Sequence, residues 1–417
     1  METWNSFSSF KFQVSSFFLL FLLGCSHSTS SVIHLQLWHQ MQPEDRAVLT
    51  KVVDQYDEQH PSVEIELIYK ETEELRSSFQ SAALAGLGPD LIYGPSDQVG
   101  PFATMQFVRP LEQTVPAERL AELDSNAVVH FRDHVYQIAD RVGNHLALVY
   151  NTKLVPNPPK TTDDLIRIGK EITRDTNGDG QIDQWGIVWN FTEPFFFVPW
   201  LSGFGGWVFD GKGRPSLDTK ADADAFRFVK SLRDDYKIIP PDCDYNTADV
   251  LFKEGRAGML INGPWSWAGY EKAGVPYDLA RIPQVSSTGL WPAPMVSPLG
   301  YSICVNTNGK RLAETGKLLN YLLSDDVQRE FMTATGIIPS SLKLREDPSY
   351  LSHAHMAGSL AQLEVGRAMP IVPELRAVWD ALRPAYQSVL GGYLSPEAAA
   401  KQAQKSADEK IREMNEG

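Results

Sequence analysis

Oxygen-bearing side chains recur at every second position of one short loop. The residues are Asp175, Asn177, Asp179, Gln181 and Asp183, with Gly180 between the third and the fourth. Calcium prefers carboxylate and amide oxygens, and calcium loops place such ligands at alternating positions around a glycine turn. The spacing predicts a structural Ca²⁺ at residues 175–183. The alternative is a solvated turn built on Asn-Gly and Asp-Gly.

This loop lacks the features of a calcium sensor. Sensor loops carry a bidentate Glu at the twelfth position and are flanked by helices that reorient. Here the twelfth position is Gly186, and the residues around it alternate like a strand. We therefore expect the ion to fasten a loop to the strand that begins near Trp185. Removing the ion should lower thermal stability more than ligand affinity.

The elements that precede the loop alternate between strands and helices. The segments VIHLQLW, VEIELIY and DLIYG have strand patterns, and two segments with helical spacing of apolar residues separate them. This order indicates an α/β domain with a parallel sheet. Such sheets bind ligands outside the carboxyl ends of their strands. The loops after Trp38 and after Tyr93 are therefore expected ligand loops, and a second unit begins near His145.

Composition and charge restrict the class of function. The chain has 417 residues, of which 43% are hydrophobic and 22% charged, enough for two domains with substantial cores. Its net charge of -14 argues against a nucleic-acid partner, because binding phosphates requires clustered Lys and Arg. An uncharged or cationic partner is more compatible with this charge, and we expect the chain to be a monomer.

The first residues predict export. Lys11 precedes the apolar run from Val14 to Leu23, which is too short for an ordinary membrane-spanning helix. The run ends in Leu-Leu-Gly-Cys, which resembles a bacterial lipoprotein box. This pattern predicts a signal peptide at 1–24, acylation of Cys25 and a tether at 25–31 on a membrane-anchored periplasmic or cell-surface protein. The alternative is a signal peptide that merely contains a cysteine.

Two further cysteines remain after Cys25 is assigned to the lipid anchor. These are Cys243 and Cys304. In an oxidising compartment they could form a disulfide, and two separate buried thiols are equally compatible with the sequence.

Five segments, taken in order, resemble the maltose-binding protein and the wider family of extracellular sugar-binding proteins that serve ATP-binding-cassette importers. They are GPDLIYGPSDQVG, LVYNTKLVPNPPKT, FTEPFFFVPW, FKEGRAGMLINGPWSWAGY and RAMPIVPELRAVWDALRPAY. The likeness extends from about Ile33 to the C-terminus. It implies an α/β protein of two lobes, each a sheet flanked by helices, with a ligand cleft between them and no required cofactor. Ligand binding would close the hinge, and the importer's membrane subunits would sense the closure.

The resemblance also implies where the chain passes between the lobes. The three crossings are expected near Val142 to His145, Ser297 to Gly300 and Leu344 to Pro348. The first lobe would then comprise 32–142 and 301–345, and the second lobe 143–300 and 346–417.

A sugar site needs hydrogen-bonding groups for the hydroxyls and flat rings for the sugar faces, and carboxylates are strong acceptors. By matched segments, the resemblance implies that the carboxylates of Asp97 and Glu193 and the rings of Phe195, Trp265 and Trp379 hold the ligand. For Asp97 the alternative is a helix N-cap. For a tryptophan it is core packing.

Three departures from the maltose-binding pattern bear on the ligand. Gly94 stands where a stacking tryptophan occurs, Gln98 where an arginine follows the aspartate, and Asn144 where a carboxylate is expected. A tryptophan ring that stacks against the sugar and a charged side chain that holds it would then be absent. These changes favour a short or differently linked ligand such as maltose, trehalose, sucrose or a glucosylated osmolyte. Gln98 and Asn144 are still expected to contact the ligand at these positions, and Gln40 and Tyr301 are expected to be further hydrogen-bonding partners.

An enzymatic alternative starts from the same carboxylates. Glycosidases place two carboxyl groups on either side of one bond, and Asp97 with Glu193 could form such a pair. In the family these positions lie on opposite lobes and act as acceptors, which favours binding without catalysis. Trp267, two positions after Trp265, is expected to point away from the cleft.

Overall fold

The structure, a computed structural model, describes residues 32–351 and 355–416. The predicted signal peptide, Cys25 and the tether lie outside these residues. The strands are β1 (Ile33–His39), β2 (Val63–Tyr69), β3 (Leu91–Pro95), β4 (Val128–Phe131), β5 (His134–Asn144), β6 (Ala147–Asn151), β7 (Trp185–Val188), β8 (Ala257–Asn262), β9 (Tyr277–Ala280), β10 (Met295–Ile303), β11 (Ile338–Pro339) and β12 (Arg367–Ala368). The helices are α1 (Pro43–Gln59), α2 (Thr72–Leu84), α3 (Val99–Thr104), α4 (Ala117–Ala121), α5 (Thr162–Ile172), α6 (Val198–Gly203), α7 (Lys220–Asp234), α8 (Tyr245–Lys253), α9 (Trp267–Lys272), α10 (Gly309–Leu322), α11 (Asp325–Thr335), α12 (Leu342–Arg345), α13 (Pro348–Leu351), α14 (Met356–Leu363), α15 (Glu374–Leu390) and α16 (Pro396–Glu416).

The first lobe is built on a mixed sheet with the order β11-β5-β10-β3-β1-β2, in which β4 lies beside β5 and β12 beside β10. The strands β1, β2 and β3 are parallel, as the sequence pattern predicts, and β10 runs antiparallel to both β3 and β5. Leu35 and Leu37 of β1 are buried because alternate residues of a strand face the same side. The carboxyl ends of the three parallel strands therefore meet at one edge.

The second lobe has its own sheet, with the order β7-β8-β6-β9. Every residue of β6 and of β8 is buried, because helices cover both faces of this sheet. Its core is the larger one and contains the fully buried rings of Trp189 and Trp200. The molecule thus has the two-lobe α/β architecture that the resemblance implies.

Two connections between the lobes run side by side. Asn144 at the end of β5 pairs with Ser297 of β10. Along β10, Met295 belongs to the core of the second lobe and Tyr301 to the core of the first. The chain thus passes from one core to the other within this strand.

The third connection is less sharply defined by packing. Tyr350 and Met356 belong to the core of the first lobe. In α14, a Cβ built on Gly358 would lie 2.3 Å from the carbonyl oxygen of Leu279 in the second sheet. The helix α14 therefore touches both lobes.

The two described cysteines are separate thiols. Cys243 is buried in the core of the second lobe and Cys304 in the first lobe, and both are free. Burial raises the pKa of Cys243 to about 12, so its thiol is protonated at neutral pH. The sequence left open a disulfide or two separate buried thiols, and the structure shows two separate buried thiols.

Among residues 32–351 and 355–416, no helix combines the length and the apolar character that crossing a bilayer requires.

Candidate functional site in the cleft between the lobes

Asp97 lies where a ligand is expected in a parallel sheet. It belongs to a 3-10 turn, Ser96–Gln98, which directly follows β3 at the carboxyl edge of the first sheet. It does not occupy the N-cap of α3, which is Gln98. Within the described part of the chain, the buried Oδ1 of Asp97 has no hydrogen-bond partner. A buried acceptor without a donor is costly, and a ligand hydroxyl would satisfy it.

Groups from both lobes determine the pKa of Asp97. Burial raises this pKa from 3.8 to about 6, and the charge of Glu73 adds to the effect. The Trp379 indole and the Arg376 guanidinium oppose it. Glu73 lies on α2 of the first lobe, whereas Trp379 and Arg376 lie on α15 of the second lobe. Asp97 is therefore at a point where the two walls of the cleft meet.

Glu193 is held by an arginine that the sequence reasoning did not single out. Nε of Arg383 donates to Oε1 of Glu193 at 3.1 Å, and Nη2 donates to Oε2 at 2.8 Å. Two parallel charge-assisted bonds fix the plane of the carboxylate. Nη2 of Arg383 also lies 4.0 Å from Oε1 of Glu73. Glu193 is thereby linked to the same group of charges that surrounds Asp97.

Two rings form an aromatic corner on the second lobe. The centroids of Phe195 and Trp265 are 6.4 Å apart, with the ring planes at 48°. The Trp265 indole folds over Gly263, where an added Cβ would lie 2.1 Å from a ring atom, so only glycine fits there. Both rings are half-buried, and the corner offers flat apolar surface next to polar groups.

Trp379 and Trp267 have different surroundings. Trp379 is 7% exposed, packs on the core of the second lobe and reaches Asp97. Trp267 is 4% exposed and meets the His145 ring edge-on at 6.2 Å. Trp267 is therefore a core residue, as its spacing from Trp265 indicates.

Two departures from the family pattern are coupled in space. A Cβ built on Gly94 would lie 3.0 Å from Oε1 of Gln98. Gln98 is only 6% exposed, and its amide lies over Gly94. A large side chain at position 94 would displace it. The side chain of Gln98 thus occupies space that a larger residue at position 94 would need, and its contact with a ligand stays a prediction.

The remaining predicted partners have different surroundings. Tyr301 is fully buried in the core of the first lobe, with its ring 4.8 Å from that of Tyr93 and its hydroxyl without a partner among the described residues, and its contact with a ligand stays a prediction. The strand alternation that places Tyr301 inward was visible in the sequence. Asn144 donates to the Ser297 hydroxyl at 3.3 Å and joins the two neighbouring connections. Gln40 has a buried Oε1 that lacks a partner among the described residues.

Three charged residues of this site were missed from the sequence. Arg376 and Arg383 lie three positions before and four positions after Trp379, on the same face of α15. Glu73 is in the first turn of α2, just beyond the carboxyl end of β2, and Glu71 accepts its backbone N–H at 3.0 Å. The helical spacing and the rule for parallel strands could have identified all three.

The acidic loop curls around its first carboxylate. Asp175 accepts the backbone N–H groups of Gly178 and Gly180 at 2.6 and 2.7 Å. These bonds hold the pKa of Asp175 below its ordinary value. Both glycines have positive φ, 80° and 87°, so the turn needs residues without a side chain. In the described ranges, no three His, Cys, Asp or Glu side chains converge as a metal-binding group.

Comparisons with known proteins agree with this architecture. Over 360 residues the chain is 27% identical to the maltotriose-binding protein of Pyrococcus abyssi, covering 85% of this chain and 77% of that protein. It is 22% identical over 402 residues to the galactooligosaccharide-binding protein of Bacillus subtilis, covering 94% of this chain and 92% of that protein. Both relatives are named for the oligosaccharides that they bind and not for a catalysed reaction, which favours binding over the enzymatic alternative.

Solved structures of sugar-binding proteins share the fold of this chain. The maltose/maltodextrin-binding domain of Bdellovibrio bacteriovorus, bound to maltotriose, superposes with a TM-score of 0.89 at 48% identity. The match covers 91% of this chain and 100% of that domain. The GacH receptor of Streptomyces glaucescens, solved unliganded and in complex with acarbose, has a TM-score of 0.81 at 21% identity and shows the fold alone.

A family model covers most of the chain. The model describes a bacterial extracellular solute-binding protein and matches residues 51–358. Such proteins act outside the cytoplasm, which agrees with the export predicted from the first residues. The chain belongs to the family of bacterial extracellular solute-binding proteins.

Proposed function

We propose that the protein captures a short oligosaccharide or glycoside in the cleft and delivers it to an ATP-binding-cassette importer. One observation carries the proposal. The carboxylate of Asp97, with a buried and unpartnered oxygen, lies on the first lobe beside the Trp379 ring of the second lobe. A sugar offers both a hydroxyl for the carboxylate and an apolar face for the ring.

The ligand class follows from the relatives and from the departures at Gly94 and Gln98. The Bdellovibrio domain binds maltotriose, which makes a glucose trisaccharide the first ligand to test. The Gln98 amide covers the position of a stacking wall, which favours short ligands over long dextrins. Maltose, trehalose, sucrose and glucosylated osmolytes complete the panel.

The decisive experiment is a calorimetric titration of the purified protein with this panel. We expect saturable binding of at least one short saccharide, with the sugar recovered unchanged. Absence of binding to every member of the panel would contradict the proposal. Release of cleavage products would instead identify a glycoside-acting enzyme.

Lipid anchoring and delivery form a separate part of the proposal. The lipoprotein-type sequence ending in Cys25 supports acylation of that residue. Mass spectrometry of the membrane fraction should find a diacylglyceryl group on the N-terminal cysteine. Replacement of Cys25 by Ser should release the protein from the membrane without changing the sugar affinity.

We further propose a structural Ca²⁺ at the loop of residues 175–183. The chemistry of its oxygen donors and the turns at Gly178 and Gly180 support the ion. When bound, the ion would add positive charge between the carboxylates and fasten the loop next to β7. Calorimetry with calcium and with a chelator tests this. We expect a lower melting temperature without calcium and an unchanged sugar affinity. A melting temperature that does not depend on calcium would contradict the proposed ion and support the alternative of a solvated turn.

A further inference from the structure

An ion pair between Arg376 and Glu73 joins the two walls of the cleft. Nη1 of Arg376 on α15 donates to both carboxylate oxygens of Glu73 on α2, at 3.1 and 3.0 Å. The two residues are 303 positions apart in the chain. Because α2 belongs to the first lobe and α15 to the second, this bond can form only while the lobes are close together.

Neighbouring charges orient both members of the pair. Arg76, also on α2, donates to Glu73 at 2.9 Å. Asp380, on α15, lies 2.8 Å from Nη2 of Arg376. Burial works to raise the pKa of Glu73, but Arg376 and Arg76 outweigh it and hold this pKa below its ordinary value. The pair is preorganised on each wall, which reduces the entropy lost when the walls meet.

The position of the pair connects it to the ligand site. Glu73 and Arg376 both act on the pKa of Asp97, and Trp379 is one turn away from Arg376 on α15. The side chain of Arg376 is 23% exposed and that of Glu73 is 41% exposed. Partial shielding from water makes such a pair stronger than a fully exposed one.

A second contact shows that the lobes meet closely on this side. A Cβ built on Gly100 of α3 would lie 1.8 Å from the carbonyl oxygen of Ile371, in the segment that leads into α15. The backbone of the first lobe therefore touches the backbone of the second within a few residues of Asp97.

We propose that Arg376 is a positioning residue for ligand capture, which stabilises the closed cleft by bridging to Glu73 on the opposite wall. The inference rests on the proposed closure of the cleft around a sugar. The bond is absent in an open cleft and present in a closed one, so it shifts the equilibrium between the two states. Part of the ligand affinity is then electrostatic and depends on the salt concentration.

The variant Arg376→Gln tests the bridge, with Arg376→Lys as the conservative variant. A matched control is Lys272→Gln, which removes another pair between the lobes, 3.5 Å from Glu44 and with Lys272 76% exposed. Small-angle X-ray scattering without ligand measures the radius of gyration, and calorimetry measures maltotriose affinity at low and high salt. Thermal melting confirms that each variant is folded.

We expect Arg376→Gln to increase the radius of gyration and to weaken maltotriose binding about three- to ten-fold at low salt. This deficit should shrink at high salt, and Arg376→Lys should recover part of the affinity. Lys272→Gln should behave like the wild type. A radius of gyration and a salt dependence that do not change in Arg376→Gln would overturn the inference. The radius of gyration without ligand tests the bridge even if no sugar of the panel binds. The proposed bridge and the proposed sugar-binding function can therefore fail independently.

Discussion

Arg383 holds Glu193 in a fixed plane through two parallel bonds, at 3.1 and 2.8 Å. The arginine lies on α15 and the glutamate in the segment after β7, 190 residues earlier in the chain. In a fixed plane, the free lone pairs of the carboxylate point in defined directions. The same carboxylate can therefore accept sugar hydroxyls with little further loss of side-chain entropy.

Replacing Arg383 should weaken ligand binding more than it weakens the fold. We expect Arg383→Gln to lower sugar affinity by about ten-fold, because Glu193 loses its orientation. The sugar affinity of Arg383→Lys should be intermediate, because lysine keeps the positive charge but cannot form two parallel bonds to the carboxylate. The control is Arg214→Gln, which breaks the exposed pair with Asp210. Calorimetry would contradict this prediction if both arginine variants bound sugar equally well.

Trp265 and Trp267 should give opposite results when replaced. Trp265→Ala removes a half-buried ring from the cleft and should weaken binding by on the order of 2 kcal/mol. Trp267→Ala opens a cavity in the core and should destabilise the fold by about 3–5 kcal/mol. Titration and chemical unfolding on both variants check the assignment. A stable Trp265→Ala protein with unchanged affinity would move this residue to the core.

Asp97 should lower stability at neutral pH. Its pKa in the folded protein is about 6, above the ordinary value of 3.8, so folding favours the protonated form. Below pH 4 the carboxyl is protonated in both the folded and the unfolded chain, and its burial costs no stability. As the pH rises through about 6, burial of the ionised carboxylate progressively lowers the free energy of unfolding. Asp97→Asn should therefore be more stable than the wild type at pH 7, by at most about 3 kcal/mol. The difference should vanish at pH 3.5, and unfolding curves at both pH values check this.

The same carboxylate should make sugar affinity dependent on pH. The ionised form accepts hydroxyl hydrogen bonds most strongly, and it is populated above pH 6. We expect affinity to fall up to about ten-fold between pH 7 and pH 5. Asp97→Asn should bind weakly at both pH values. A wild-type affinity that stays constant over this range would show that the charge of Asp97 does not contribute to binding.

Gly100 should be needed for the lobes to meet. In Gly100→Ala the new methyl group would overlap the carbonyl oxygen of Ile371, 1.8 Å away, and force the walls apart. We expect weaker sugar binding and a larger radius of gyration with ligand present. Gly211→Ala is the matched control, because an added Cβ there meets no atom within 4 Å. Wild-type compactness of Gly100→Ala would show that local backbone shifts absorb the methyl group.

Local patterns along the chain were enough to predict the fold class and the sheet edge at which a ligand is expected. Strand alternation and helical spacing are local patterns, and they identified β1, β2 and β3 as parallel strands. The carboxyl-end rule then indicated the loop that contains Asp97. The resemblance of five ordered segments supplied the two lobes. These features depend on residues that are near one another in the chain.

The pairing of side chains that are far apart in the chain is visible only in the folded protein. The contacts of Glu73 with Arg376 and of Glu193 with Arg383 join residues that no local pattern connects. Packing also placed Gln98 over Gly94, and it separated Cys243 from Cys304. Burial and charge pairing depend on the sum of all neighbours in space, so the partners of each site residue appear only when the two lobes are brought together.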